Sequence, residues 1–555
     1  MSEIRERWAS RPAFVMAAIG SAVGLGNLWR FPYIAAKHGG GAFLVPYFIA
    51  VLTAGIPLMI LEYGLGQAMQ GAAPAALKKL HRRFEWIGWF ALAVSTVICI
   101  YYAAVMAWCW RYLWASFGQE WGSTKDETAA FFTREIARTG KFGDIWGLSV
   151  PLMIGLALTW AIIYWIIYKG VHRVGRIVMI TVPLPVVLLL ILVVRGITLP
   201  HSGSGLNFYL NPTWDALKDP GTWLAAYGQV FFSLSLGFGI LIAYASYMPK
   251  KRDVSNNAFI TSFGNALVSF LAGFAIFSVL GYFAAATNPV AGAVEGEIAT
   301  IGREVAATQD GPQPRALDQG AARPPALEDL AAVAARPTPT RELVKKTAGK
   351  PGASLAFIVY PAAINTLPPI LGPYTANIFG VIFFITLLSL GIDSAFSLVE
   401  AAVAGVHDKW PAIRRPVITA IICIGCFLFG LLFITDAGPL WLDVVDNWCN
   451  NYGLVTVGLL QCLVVGWFVK TKLLTDAINE GAEIRVGKWW LACIKVITPA
   501  ILITLLALNL RKELLIEAYE GYPPWALITG GWAVIAGAFI LSIVLMLTRG
   551  QEAAE

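Results

Sequence analysis

GSAVGLGN occupies residues 20–27 and SLSLGFG residues 233–239, and each sets an apolar-Gly-x-Gly element inside an otherwise hydrophobic run. A glycine in a helix interior costs roughly 1 kcal/mol relative to alanine, so matching clusters in two long apolar segments need a reason. One reason is that both helices are broken there. Unwound backbone is tolerated in hydrocarbon only where it lines a cavity, and its free carbonyls can then bind cations while half-helix amino ends bind a carboxylate. Close helix packing through small residues is the other reading.

Around these two elements the chain is built for a bilayer. Of its 555 residues, 57% are hydrophobic and only 14% charged, and the mean hydropathy is +0.66, too apolar for a surface that must face water. Stretches at 11–36, 41–70, 87–116, 147–168, 174–195, 222–247, 257–286, 376–406, 412–434, 442–469, 488–509 and 526–547 are each long enough to cross a hydrocarbon core of about 30 Å as helices. The fold class is therefore an all-α membrane protein of about twelve transmembrane helices. A barrel would show short alternating segments, whereas these runs are continuous.

The net charge of +7 marks topology rather than a nucleic-acid surface. Arg5, Arg7 and Arg11, then Lys78, Lys79, Arg82 and Arg83, then Lys169, Arg173 and Arg176, then Lys250, Lys251 and Arg252, and finally Lys409, Arg414 and Arg415 all fall on one side if the spans alternate. By the positive-inside rule both termini are cytoplasmic in a cell (inner) membrane. The first apolar run carries no small-residue cleavage site and reads as a retained span. The seven cysteines are scattered, and the five histidines lie at span ends or in loops without metal-ligand spacing. There is no nucleophile elbow, phosphate loop or metal motif, so an enzyme is not expected. Residues 288–352, rich in Ala, Pro, Gly and mixed charge, read as a disordered external insert. Residues 353–372, including FIVYPAAINTLPP, read as a short helical hairpin lidding the outer mouth.

With SAVGLGNLWRFPYIAAKHGGGAFLVPYFIA at 21–50, SLSLGFG at 233–239 and LGIDSAFSLVE at 390–400, the sequence resembles the neurotransmitter:sodium symporter family, most closely its bacterial amino-acid members. The resemblance covers the chain apart from the 288–352 insert. It implies a cytoplasmic gate segment at 1–10, an inverted five-helix repeat over 11–195 and 196–470 whose first helices are the broken ones, and two further spans within 471–555. It implies two sodium sites. The first uses Ala22, Asn27, Ser233, Asn265 and the carboxylate of the substrate; the second uses carbonyls of Gly20, Val23 and Leu390 with the side chains of Asp393 and Ser394. An acid buried in a span is usually functional, a structural ion pair being the plainer reading. Oxygen-only donors suit sodium, a hard cation.

The same resemblance gives the substrate site. Gly24 lies where monoamine carriers place an aspartate, which favours a substrate that brings its own carboxylate. Tyr102 and the amides near Leu25 and Gly26 would hold that carboxylate, carbonyls near Phe232 and Ser235 the ammonium, and Ala22, Ile98, Phe232, Phe238, Ser394 and Leu398 the side chain. A small, apolar α-amino acid is expected. Where many bacterial relatives carry an acid in span 7 this chain has Ser269, and with Tyr47, Gln229, Ser233 and Asn265 it resembles the chloride site of animal members; Asp393 or another titrating group supplying the charge is the alternative. The outer gate would pair Arg30 with Asp446 and Tyr102 with Phe238. The inner gate would join Arg5 to Asp408, packed by Trp8, Ser246 and Tyr247. A sodium-independent carrier, proton-coupled or exchanging, is the rival reading for the same architecture, and a channel the more distant one.

Overall fold

The computed structural model describes residues 6–122, 124–138, 140–287, 354–516 and 518–550. The expected insert at 288–352 and Arg5 therefore lie outside the described residues. Ten helices among these residues are long and apolar enough to cross a membrane, and the bent pair Arg11–Ala22 and Gly26–Lys37 makes an eleventh span. The twelfth is split: Pro220–Ser233 and Ile240–Ser246 are each too short to cross alone. In chain order these are span 1 (the bent pair), span 2 (Gly41–Met69), span 3 (Arg82–Gly118), span 4 (Val150–Ile167), span 5 (Val171–Ile197), span 6 (the split pair) and span 7 (Val254–Ala286). Span 8 (Gly372–Lys409), span 9 (Arg415–Ile434), span 10 (Gly438–Phe468), span 11 (Lys488–Gly521) and span 12 (Pro524–Leu547) complete the set.

Side-chain character sorts the spans into an inner and an outer layer. Of the ten unbroken spans, span 3 is the most enclosed, with 89% of its most apolar stretch buried, against 22% for span 12. Span 3 carries small residues where neighbours close in: Ala103, Ala104 and Ala107 are wholly buried, and it packs along span 8 and span 4. On the outer spans large aliphatics recur on one face, as at Ile421, Ile424 and Leu428 of span 9, all exposed. Exposed apolar stripes at helical spacing face lipid, where no hydrophobic penalty applies.

Spans 1 and 6 break as their glycines suggest. The first half of span 1 ends at Val23, whose backbone is extended at φ −82° and ψ 104°, and the two halves diverge by 51°. In span 6, Ser235, Gly237 and Gly239 all take positive φ, at 53°, 81° and 78°. Several groups at the breaks find partners on another span. The Ser235 hydroxyl donates to the Ser21 carbonyl at 2.9 Å, the Ser95 hydroxyl of span 3 to the Phe238 carbonyl at 2.9 Å, and the Gly237 N–H to the Glu62 carboxylate of span 2 at 3.1 Å. The Asn27 side chain turns back to accept the Gly24 N–H at 2.9 Å.

The segment expected to be a helical hairpin is one helix, Leu355–Asn365, followed by the extended residues Ile370–Pro373. Pro361 lies inside this helix, just after its π-helical stretch Leu355–Val359, and the Phe357 carbonyl that its missing N–H cannot reach is taken by the Tyr112 hydroxyl; Pro368 and Pro369 stop its continuation. It is clasped by the Tyr112 hydroxyl on the Phe357 carbonyl at 2.7 Å, by Tyr282 on the Thr366 carbonyl and by Arg195 on the Pro368 carbonyl at 3.2 Å.

A Cβ on Gly237 would lie 3.0 Å from the Leu454 carbonyl, at a φ that L-residues rarely adopt. Gly237→Ala is thus expected to destabilise the protein by about 1–2 kcal/mol, seen as a drop of several degrees in a thermal aggregation assay of the purified protein.

Candidate functional site

The two breaks face each other across a cavity with room for about 40 Å3 of water-sized centres, or roughly three waters. Span 1 supplies Ser21, Ala22, Gly24, Gly26 and Asn27, and span 6 supplies Phe232, Ser233, Ser235, Phe238 and Ile240. Span 3 adds Ile98 and Tyr102, and span 8 adds Ser394 and Leu398. No charged side chain among the described residues lines it. Every residue assigned to the substrate from the sequence borders this cavity except Leu25, whose side chain is wholly buried elsewhere. The Leu25 N–H does take part, donating to the Tyr102 hydroxyl at 3.1 Å. Ser21 and Ile240 are lining residues that the sequence reading missed.

Beside the cavity the amide and hydroxyl side chains form one cluster. The Asn27 amide nitrogen donates to Asn265 Oδ1 at 2.8 Å and to Ser269 Oγ at 2.8 Å, and the Asn265 amide donates to Ser233 Oγ at 2.8 Å. Residues expected to share the first sodium and the chloride are thus in mutual contact. Tyr47 lies next to Ser269. Yet the Tyr47 hydroxyl and both polar atoms of the Gln229 amide are buried without a hydrogen bond of ordinary geometry. Buried donors left open in this way are costly unless something fills the gap.

The residues expected at the second sodium site also meet. Ser394 Oγ lies 3.5 Å from the Val23 carbonyl and 3.4 Å from that of Ser21. A Cβ on Gly20 would sit 2.6 Å from Val182 Cγ2 and in ordinary contact, 3.4 Å, with Asp393 Oδ2, so the glycine lets span 1 close on span 5 beside the carboxylate. Asp393 is 1% exposed, and its Oδ1 has no hydrogen-bond partner among the described residues. Leu390 stands one turn earlier on the same helix.

Comparison with known proteins places this arrangement. The sodium:neurotransmitter symporter family matches over residues 5–128 and 118–552. A sodium-dependent transporter of Methanocaldococcus jannaschii is 34% identical over 542 residues, covering 98% of this chain and 97% of that protein. The sodium- and chloride-dependent taurine transporters of Rattus norvegicus and Canis lupus familiaris are each 30% identical, over 590 and 585 residues, covering 99% and 98% of this chain and 85% and 84% of theirs.

The chain belongs to the sodium:neurotransmitter symporter family. It is a multi-pass membrane protein and a sodium-dependent transporter, not an enzyme.

In this symporter the two ends of the site are sealed differently. At the end packed by the amino-terminal segment Trp8 is buried, its indole N–H donating to the Tyr244 carbonyl at 2.8 Å and its backbone N–H to the Tyr247 carbonyl at 3.3 Å. The Ser246 hydroxyl turns back on the Ala243 carbonyl at 2.5 Å, and the Asp408 carboxylate accepts the Ala72 N–H at 2.7 Å. The sequence reading missed the charges that complete this seal. The Tyr247 hydroxyl donates to the wholly buried Glu400 at 2.9 Å; Glu400 pairs with Arg415, and Arg415 reaches Glu6 at 3.7 Å. Glu400 within LGIDSAFSLVE, inside span 8, and Arg415 at the start of span 9 were visible as charges, but nothing in their spacing joins them.

At the opposite end the expected Arg30–Asp446 pair is not formed as an ion pair. The Arg30 guanidinium instead lies 4.5 Å from the centroid of the Phe232 ring, and Asp446 accepts from the Asn450 amide at 2.8 Å. The cation finds the face of an aromatic ring, and the acid finds a neighbour one turn away. The ring contact at this end is Phe232 with Phe238, centroids 6.4 Å apart.

Removing Arg415 would leave Glu400 buried and uncompensated. Arg415→Ala is expected to cost about 3–5 kcal/mol, and the double variant with Glu400→Ala to recover most of it; thermal denaturation of the single and double variants measures the coupling.

Proposed function

We propose that this chain imports a small, apolar α-amino acid by alternating access, coupled to two sodium ions and to chloride. The observation that carries this reading is the neutral cavity between the two breaks. A substrate held there must bring both of its charges, which suits a zwitterion. Its carboxylate meets the amides of Leu25 and Gly26 at the amino end of the second half of span 1 and the Tyr102 hydroxyl, where the helix dipole favours an anion. Its ammonium meets carbonyls near Phe232 and Ser235. Ile98, Phe232, Phe238 and Leu398 leave space for a short apolar side chain only.

Sodium at the first site takes the Ala22 carbonyl, Asn27, Ser233, Asn265 and the substrate carboxylate, so ion and substrate bind together. The second sodium takes Gly20, Val23, Leu390, Asp393 and Ser394, where the unpartnered Asp393 oxygen supplies charge. Chloride at Tyr47, Gln229, Ser233, Asn265 and Ser269 would use the open donors of Tyr47 and Gln229. The description of two relatives as sodium- and chloride-dependent supports it. The helix Leu355–Asn365 acts as the outer lid, and Arg30 and Asp446 meet when it closes.

Uptake of labelled small amino acids into proteoliposomes tests the reading. Replacing external sodium by choline abolishes uptake, and replacing chloride by gluconate lowers it about tenfold or more, while Ser269→Glu makes transport indifferent to chloride by fixing a negative charge there. Uptake untouched by sodium removal would overturn the coupling; uptake untouched by gluconate would remove the anion site alone. A Cβ on Gly24 would lie 2.7 Å from Ser394 Oγ and 3.0 Å from the Tyr102 hydroxyl. Gly24→Ala is therefore expected to raise KM roughly tenfold by overfilling the cavity, measured by the same uptake.

A further inference from the structure

Glu62 sits inside span 2 and belongs to none of the sites above. It is wholly buried. One carboxyl oxygen accepts the Gly237 N–H at 3.1 Å, and the other has no hydrogen-bond partner of ordinary geometry among the described residues. Gln461 of span 10 adjoins the carboxyl, and both polar atoms of its amide are likewise buried and open. The titratable groups that face Glu62 are Tyr63 of its own span and Cys462 of span 10. Span 7 presents Thr261, which is engaged with the Tyr63 hydroxyl at 3.3 Å, and span 6 presents backbone at Gly237. No Lys, Arg, His or second acid among the described residues acts on the carboxyl.

A carboxylate in hydrocarbon that has only the Gly237 N–H and the adjoining Gln461 amide, both neutral, and no countercharge is costly. The neutral acid is not, since its O–H has the open Gln461 carbonyl beside it as acceptor. The placement also matters: Gly237 is the left-handed residue at the centre of the span 6 break, so whatever ionises Glu62 acts on the segment that forms the cavity.

We propose that Glu62 is a proton-binding site, protonated while the Gly237 N–H rests on it and Gln461 packs against it, and ionised when the span 6 break is hydrated. The O–H bond of the acid then breaks, the proton passes to the entering water, and the carboxylate is stabilised by that water. Protonation thus favours the conformation described here, and alkaline pH favours its opening. This holds whatever the substrate and whether or not chloride binds.

Hydrogen–deuterium exchange of the segment spanning 230–240, on the purified full chain in nanodiscs at fixed sodium chloride and corrected for intrinsic exchange rates, reads the opening. Protection should fall about threefold or more between about pH 6 and about pH 8.5 in the unaltered protein and stay flat in Glu62→Gln, which mimics the neutral acid. Infrared spectroscopy locates the proton: a carboxylic-acid C=O band at neutral pH should vanish in Glu62→Gln and shift in Glu62→Asp. If Glu62→Gln does not fold, the band shift in Glu62→Asp and its altered pH profile carry the test. An equal loss of protection in both proteins, or no acid band that responds to residue 62, overturns the proposal.

Discussion

Inside a bilayer no backbone N–H or C=O can be left to solvent, and the chain's organisation follows from how it meets that rule at two places where helices are interrupted. The span 1 and span 6 breaks satisfy their exposed groups largely through other spans: Ser235 on the Ser21 carbonyl, Ser95 on Phe238, Glu62 on Gly237. These bonds fix spans 1, 2, 3 and 6 around one cavity. A continuous helix would need none of them and would leave no cavity.

The rule also explains which parts of the molecule could be read from the sequence. Span lengths follow from hydrophobic runs, and the two breaks from glycines whose cost had to be repaid. The neutral cavity was within reach for the same reason, since each of its walls is a break or a helix packed directly on one. Glu62 was missed although MILEYGLG at 59–66 displays an acid within an apolar run, where a lone carboxylate is costly and usually functional. The segment 353–372 was expected to be a hairpin with prolines at its shoulders, whereas Pro361 is held within one helix, the carbonyl it leaves open being taken by Tyr112.

Pairings were the least legible part. Arg415, Glu400, Tyr247 and Glu6 come together from four separate regions of the chain, and their sequence spacing carries no trace of it. Arg30 shows the converse. Its neighbourhood offers both an acid and an aromatic face, and the side chain settles on Phe232 while Asp446 bonds to Asn450. Which partner a long cation takes depends on how far the two bundles have closed, and that is a property of the conformation rather than of the sequence.

The contrast between the two ends bears on how such a transporter can move at all. A seal of apolar side chains would be held shut by the full hydrophobic contribution of its area, and opening it would be slow. Buried ion pairs behave otherwise: desolvation offsets most of their mutual attraction, so the net stability of the closed form is small. What the pairs contribute is selectivity of state, because an intermediate with one partner exposed and the other buried is strongly disfavoured. The Glu6–Arg415–Glu400–Tyr247 network therefore makes closure at the Trp8 end close to all-or-none without making it deep. The open donors of Tyr47 and Gln229 and the unpaired oxygens of Asp393 and Glu62 add groups whose energy depends on what occupies them. A nearly balanced seal beside such groups is a system that small cations, anions and protons can tip, and that is the physical requirement for coupling ion binding to movement.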